Sequence, residues 1–497
     1  MHALHIAAEC APFAKVGGMA DVVGALPGAL ADHGVESSVL MPFYGGPDGR
    51  LAAKAGETRS VHTGVVYHDH EWFPFEVFRS RAIAGVDLYL LHEPEHFGDD
   101  GVYFRASDNA WFERGDVRFL VFQLAVLDWL RSGASPITAD TVLHLHDHHT
   151  GLIPVLLTHD PANAAIASTP TVFTVHSADH HGEFSWMTWD RVFVDVPDWR
   201  SLDHMGKVNS LKAGVGYADA VTTVSPSYAR ELVAGPEPSH GLDYVFQSAS
   251  DRLSGILNGV DYGVWHPATD AYLDATYSAD DLGGKAETKR AVCQELQLDC
   301  GHALLVFIGR LTPEKGGAIL AAGIERIVRA STASIVVLGT GYDDVEASVR
   351  DVHARLEADG LGDHLAVRLA FDNALAHRLY AAADALLMPS LSEPCGLNQM
   401  YAQAYGTPPV VHAVGGLRDT VVEWDGADGT GFRFEASTPE AFADAALRAL
   451  GVYADADAWA RLVQNAFAAD FSWDRSARRF IDIYRQVSGR TRPTSSA

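Results

Sequence analysis

The chain has 497 residues, a formal net charge of −27, 47% hydrophobic residues and 20% charged residues. At about 100–200 residues per domain this length implies at least two domains, and the composition supplies a full apolar core without staples or structural metals. So acidic a chain repels polyanions at long range. That excludes nucleic acid and anionic membrane as partners and obliges any anionic ligand to find a local cluster of Lys and Arg.

The cysteines Cys10, Cys293, Cys300 and Cys395 form no CxxC, and their spacing suggests neither a disulfide framework nor a zinc site. A reducing, cytoplasmic setting is expected. The N-terminus lacks the basic region and apolar stretch of a signal peptide. No apolar run reaches the roughly 18 residues a membrane span needs.

In chain order, the apolar run "LHIAA" (4–8) ends at a glycine-bearing loop, "GMADVVGAL" has helical spacing, and "VESSVLMPFY" (35–44) reads as a second strand. This β-α-β alternation marks a parallel sheet covered by helices. It continues through "TVLHLHD" (141–147), the helix "TGLIPVLL", "TVFTVHS" (171–177), and "AVTTVS" (220–225) leading into "PSYARELV", where Pro226 suits a first helical turn. After "SGILNGVD" (254–261) a second series begins, with strands expected in "ALLVFIGR" (303–310), "SIVVLGT" (334–340), "LAVRLAF" (365–371), "ALLMPS" (385–390) and "PPVVHAV" (408–414). Nearly continuous apolar strands are those of a sheet buried on both faces. Two doubly wound domains follow, with a hinge near 250–260. The tail from 439 to 487 reads as helical, and 491–497 as a disordered end.

"KVGGMADVV" and "AVGGLRDTV" repeat one spacing near the two ends of the chain. In each, a strand precedes two glycines and a helix begins just after them. Gly17–Gly18 and Gly415–Gly416 would let the backbone approach a ligand and reach positive φ, with the helix N–H groups aimed at the same spot. Ordinary strand-to-helix turns would also use glycine. Lys15 stands before the first loop, and Arg310 and Lys315 flank the turn in "GRLTPEKGG", so three cations at strand ends suggest a diphosphate site. Glu393 in "SEPCGLNQM" follows a strand, with a helix expected to open at Gly396. It reads either as a ligand for sugar hydroxyls or as a first-turn acid complementing the helix dipole. "HLHDHH" (144–149) misses the dinuclear-zinc pattern by one place, so no metal is expected there. Instead Asp147 and His176, both at carboxyl strand ends, would line a cleft, with His144 and His146 on one strand face and Asp147 on the other.

Taken together, "HIAAECAPFAKVGGMADVVGALP", "HLHDHHTGLIP", "LKAGVGYADAVTTVSPSYARE", "LNGVDYGVWHPATD", "IGRLTPEKG" and "SEPCGLNQMYAQAYGTPPVVHAVGGLRDTV" resemble the bacterial glycogen synthase and plant starch synthase family, in the family's order and over nearly the whole chain. The resemblance implies an α/β GT-B fold of two Rossmann-like domains facing a cleft. The expected boundaries are 1–255 (acceptor side), 256–470 (nucleotide-sugar side) and a helix 471–490 crossing back to the first domain. It also implies a retaining glucosyltransferase that moves glucose from ADP-glucose to the non-reducing-end 4-hydroxyl of an α-1,4-glucan, without metal or cofactor. By the same resemblance Lys15 and Gly17–Gly18 contact the diphosphate side of the donor. Arg310 and Lys315 neutralise the leaving diphosphate, and Glu393, with Gly396 and Leu397 beside it, meets the glucose. Gly415, Gly416 and Leu417 approach sugar and phosphate, while Asp147 and His176 line the sugar pocket.

This chain departs from the family at Val414, Ser392 and Asn398, and in "HSADHHG" (176–182), where Ser177 and His180 replace an Asn and an aromatic. The departures in that last segment bear on acceptor choice. Alternatives are a related transferase using UDP-glucose or a short maltooligosaccharide, and a catalytically silent glucan-binding homologue.

Overall fold

The computed structural model describes residues 1–108, 110–299 and 301–489; the expected disordered end at 491–497 lies outside the described residues. The chain divides into two compact units, one made of Met1–Gly259 with the C-terminal segment from Trp473, the other of Val260–Ser472. Among the described residues no helix is long and apolar enough to cross a membrane.

The first unit contains strands β1 (His2–Ile6), β2 (Glu36–Pro42), β3 (Thr58–His68), β4 (Glu71–Ile83), β5 (Val86–His92), β6 (Thr141–His146), β7 (Thr171–Val175), β8 (Glu183–Phe184), β9 (Asp203–His204), β10 (Lys207–Asn209), β11 (Ala220–Thr223) and β12 (Leu253–Gly255). Nine of them form one sheet in the order β12-β11-β7-β6-β1-β2-β5-β4-β3. The run from β12 to β5 is parallel, and β4 and β3 extend it as an antiparallel hairpin. A small antiparallel sheet, β8-β10-β9, stands apart.

The second unit contains β13 (Leu304–Ile308), β14 (Ser334–Leu338), β15 (Leu365–Arg368), β16 (Ala385–Met388), β17 (Pro409–His412) and β18 (Phe432–Phe434), all parallel in the order β15-β14-β13-β16-β17-β18. Residues Ser334–Leu338 and Ala385–Met388 are buried throughout, as strands covered on both faces must be. The winding reverses between β13 and β16, and in the first unit between β1 and β6. In open parallel sheets this reversal leaves a crevice beyond the carboxyl ends of the two strands.

The C-terminal helix Trp473–Ser488 belongs to the first unit's core. Trp473, Ala477, Phe480, Ile481 and Tyr484 pack with Val22, Leu26, Val142 and Val172. A Cβ on Gly259 would stand 2.5 Å from the Trp473 ring, so only glycine lets the chain pass there.

Cys10 and Cys395 are buried thiols outside any disulfide, whereas Cys293 is disulfide-bonded, against the expectation of no bridge. Spacing does not reveal a bridge, because bonding needs Cα atoms within about 7 Å, which the fold decides.

The middle of the first sheet holds a ladder of buried histidines. His5 Nδ1 lies 3.2 Å from His146 Nε2, and His146 Nδ1 lies 2.9 Å from His176 Nε2. His144 is held by Tyr484 Oη and Thr174 Oγ1, each at 2.6 Å. Burial, reinforced for His5 by the neighbouring His2, pushes His5 down to about 3. Burial also pushes His148 and His176 down to about 3, and it drives His144, His146 and His149 well below the usual imidazole value. The rings are therefore neutral, which is what lets His5, His144 and His146 sit in the sheet interior at all.

Two outcomes are expected. Tyr484→Phe strips His144 of a buried partner and should cost about 1–3 kcal/mol, read as a lower urea midpoint of the full chain; an unchanged midpoint would remove the hydrogen bond from the ledger of stability. The six histidines have folded-state values below the unfolded value of about 6.5. Their contribution is thus complete above that pH and lost as pH falls toward the folded values. Asp147, raised to about 8, works in the opposite direction, but it is one group against six. The urea midpoint should decline already between about pH 6.5 and 5, above the range in which ordinary carboxylates titrate; a flat midpoint there would contradict the ladder's neutrality.

Candidate functional site

Each unit gathers its chemistry at its own reversal point, and each is described by itself. In the second unit the loop after β13 carries Arg310 and Lys315, and the loop after the adjacent β16 carries Glu393. Lys315 Nζ meets Glu393 Oε2 at 2.5 Å, and Ser390 Oγ donates to the same oxygen at 3.1 Å. The pair lines a cavity of about 50 Å³ with Phe307, Gly309, Leu397 and Asn398. Asn398, where the family's usual residue is Thr, donates from Nδ2 to the Ile308 carbonyl at 2.6 Å and so ties the two loops together. Arg310 projects outward, 71% exposed, toward Glu314 at 3.5 Å.

Glycines permit this meeting. Gly316 has φ +73, and a Cβ there would lie 2.0 Å from the Pro389 carbonyl oxygen. Only glycine therefore allows the Lys315 loop to reach the Glu393 loop. Gly415 (φ +43) and Gly416 press equally closely on the backbone of Glu393 and Cys395, and the Gly416 N–H donates to the Glu393 carbonyl at 3.0 Å. Leu417, in the short helix Gly415–Thr420, is fully buried.

The helix expected to open at Gly396 spans Asn398–Ala404 instead. Gly396 has φ +73, which is incompatible with a right-handed helix. Glu393 is accordingly not a first-turn acid. Its carboxylate is committed to Lys315 and Ser390.

In the first unit the loop after β1 differs from its sequence counterpart. Gly17 has φ −129 and open space around its Cβ position, so the expected positive φ is absent at this residue. Nor is its N–H unpaired. Glu9, buried at the end of β1, accepts from Val16 N–H at 2.5 Å and Gly17 N–H at 2.9 Å, while Tyr103 Oη donates to its other oxygen at 2.5 Å. Gly18 opens the helix Gly18–Ala31. Lys15, 53% exposed, pairs with Asp21 at 2.6 Å. Such a solvent-facing pair is worth about 0–1 kcal/mol.

Beyond the adjacent β6, Asp147 takes φ +56, a conformation that costs about 1–3 kcal/mol outside glycine. This places it outside the strand alternation that was to set it opposite His144 and His146. Its Oδ1 accepts from the His176 N–H at 2.7 Å. Burial, assisted by the charge of Glu9, pushes its carboxyl up to about 8, so near neutrality it is a hydrogen-bond donor as well as an acceptor. The ladder engages His176 through Nε2 and leaves Nδ1 outside it.

Sequence reasoning singled out neither Glu9, Tyr103 nor Ser390. Glu9 had a signal, being a carboxylate directly after a strand, in the position that marked Glu393. Tyr103 had none. Its approach depends on Arg118, whose guanidinium donates to the carbonyls of His96, Gly101 and Val102 and fixes their loop.

With this geometry in view, the comparisons with known proteins are consistent from end to end. Residues 2–248 match the family model described as starch synthase catalytic domain, and residues 302–451 match the glycosyl transferases group 1 model. A glycogen synthase of Anaeromyxobacter sp. is 41% identical, and one of Thioalkalivibrio sulfidiphilus 38%, each over 98% of this chain and 100% of its own length. The catalytic domain of starch synthase IV from Arabidopsis thaliana, solved with ADP and acarbose, superposes with a TM-score of 0.85 at 31% identity, over 98% of this chain and 99% of that one. Sucrose-phosphate synthase from Thermosynechococcus elongatus, at 20% identity and a TM-score of 0.58 over 98% of both chains, shares the fold. The chain belongs to the glycogen synthase and starch synthase family of GT-B glycosyltransferases.

Proposed function

We propose that the chain is an ADP-glucose-dependent α-1,4-glucan glucosyltransferase. It would transfer glucose with retention to the 4-hydroxyl at a glucan's non-reducing end and release ADP. The observation that carries the reading is the Lys315–Glu393 pair, held at 2.5 Å beyond the carboxyl ends of β13 and β16. In this reading its cation serves a departing phosphate and its carboxylate serves sugar hydroxyls.

In this reading Lys315, Arg310 and Lys15 neutralise the diphosphate, and the Gly17–Gly18 and Gly415–Gly416 loops, with Leu417, stand against donor phosphate and sugar. Glu393, with Gly396 and Leu397, holds the glucose. Asp147 and His176, at carboxyl strand ends of the first unit, contact the sugar. The transition state is oxocarbenium-like, with charge growing on the leaving oxygen. A cation already positioned there stabilises that charge more than the ground state. Retention needs no glycosidase-type pair of carboxylates. Attack on the face from which ADP leaves, with the donor phosphate accepting the acceptor proton, requires no further base. No metal or cofactor is invoked, and a cytoplasmic location goes with this activity.

Lys315→Ala should lower kcat by about 10²–10³, the scale of losing one charge-stabilising donor, while glycogen binding in a sedimentation assay stays near the parent value. Equal losses in both would refute the role, and a thermal melt guards against misfolding from an unpaired Glu393. Donor and acceptor are tested in a matrix of ADP-glucose and UDP-glucose against glycogen and short maltodextrins. The expected maximum is ADP-glucose with glycogen. A maximum with UDP-glucose or with maltose identifies the related transferase, and no nucleotide release from any combination identifies the silent homologue.

A further inference from the structure

Three side chains of the first unit that take no part in the machinery above stand close enough to grip one ion. His181, Glu183 and His204 each offer a ligand atom, and these atoms lie within 4.8 Å of one another. The small sheet explains why they meet. Glu183 pairs with Asn209 and His204 with Lys207 across the central strand β10. Residues 207 and 209 are two apart on one strand, so their cross-strand partners share a face. His181, two residues before Glu183, is anchored where its carbonyl accepts from the Leu211 N–H at 2.9 Å. The backbone thus brings all three together without an ion.

Their present contacts are loose. His181 Nδ1 stands 3.6 Å from Glu183 Oε1, too far for a good hydrogen bond. His181 Nε2 is buried and has no hydrogen-bond partner among the described residues. Glu183 is approached by Lys207 Nζ at 3.4 Å and Asn209 Nδ2 at 3.5 Å. Tyr244 Oη lies 3.4 Å from His204 Nδ1 and steadies that ring, as outer-sphere partners of ligating histidines do. Zinc–ligand bonds of about 2.0–2.2 Å set tetrahedral ligand atoms roughly 3.4 Å apart. The His181–Glu183 separation is already near that, and His204 needs only a small side-chain movement.

We propose that His181, Glu183 and His204 form a binding site for a borderline divalent ion of the zinc type, with a fourth position open to water. Two imidazoles and one carboxylate are a donor set for such an ion, whereas calcium and magnesium take oxygen donors. Burial lowers the His181 pKa against the opposing pull of Glu183, which favours the neutral, ligating form. The bound ion clamps residues 177–184, the stretch that follows His176, to β9. The buried group His5, His144 and His146 is the competing site, but its nitrogens are largely spent on the ladder. The inference does not depend on the glucosyl-transfer reading.

The test uses the tag-free full-length chain, stripped with a chelator and titrated with Zn²⁺ by calorimetry and with Co²⁺ by its ligand-field absorption. One ion per chain is expected, with Glu183→Gln and His204→Asn each weakening binding at least about tenfold. Zn²⁺ should raise the melting temperature of the parent but not of the variants. Equal metal-free melting temperatures would establish that the variants fold. Absence of stoichiometric uptake, or uptake unchanged in both variants, overturns the proposal. So does uptake that is lost only in His146→Asn, because the ion would then sit in the ladder.

Discussion

Where a parallel sheet reverses its winding, two neighbouring strands send their connections to opposite faces and leave a crevice beyond their carboxyl ends. Both units of this chain are built on that constraint, between β1 and β6 in one and between β13 and β16 in the other. The strands at the reversal points are buried along nearly their whole length, so ionic chemistry is displaced to the strand ends, where water or ligand can solvate it. Glu9, Asp147, Lys315 and Glu393 all stand there.

The two crevices settle their polar groups differently. In the second unit opposite charges meet directly, Lys315 against Glu393, and glycine backbones press together to make the meeting possible. In the first, Glu9 is satisfied by backbone N–H groups and a tyrosine hydroxyl. Asp147 is raised by burial into a range where it can be neutral. The histidines behind it are kept uncharged by burial and hydrogen-bond to one another and to hydroxyls. A neutral ladder costs far less than buried imidazolium would, and it fixes the orientation of His176 through Nε2.

The repeated glycine spacing at the two ends of the chain therefore has two physical meanings. At Gly415–Gly416 the missing side chains admit neighbouring backbone at about 2 Å from the Cβ positions. At Gly17 nothing crowds the Cβ position, and the local N–H groups serve Glu9. Identical spelling could not distinguish these cases, because what glycine makes room for is set by a segment distant in sequence. Gly396 carries the same lesson. The motif around Glu393 was legible, but the helix start two residues later depended on a left-handed turn at Gly396.

The alternation of apolar runs with helical spacing, read from the sequence alone, was enough to determine two α/β sheets, because a strand buried on both faces must be apolar and a crossover must be helical. The charged residues at the carboxyl strand ends were likewise readable, since polar groups break those runs. Tertiary structure alone decided which of them touch. Lys315 and Glu393 are 78 residues apart, and His144 and Tyr484 are 340 apart. Contacts over such separations follow from strand order and register, which local patterning does not encode.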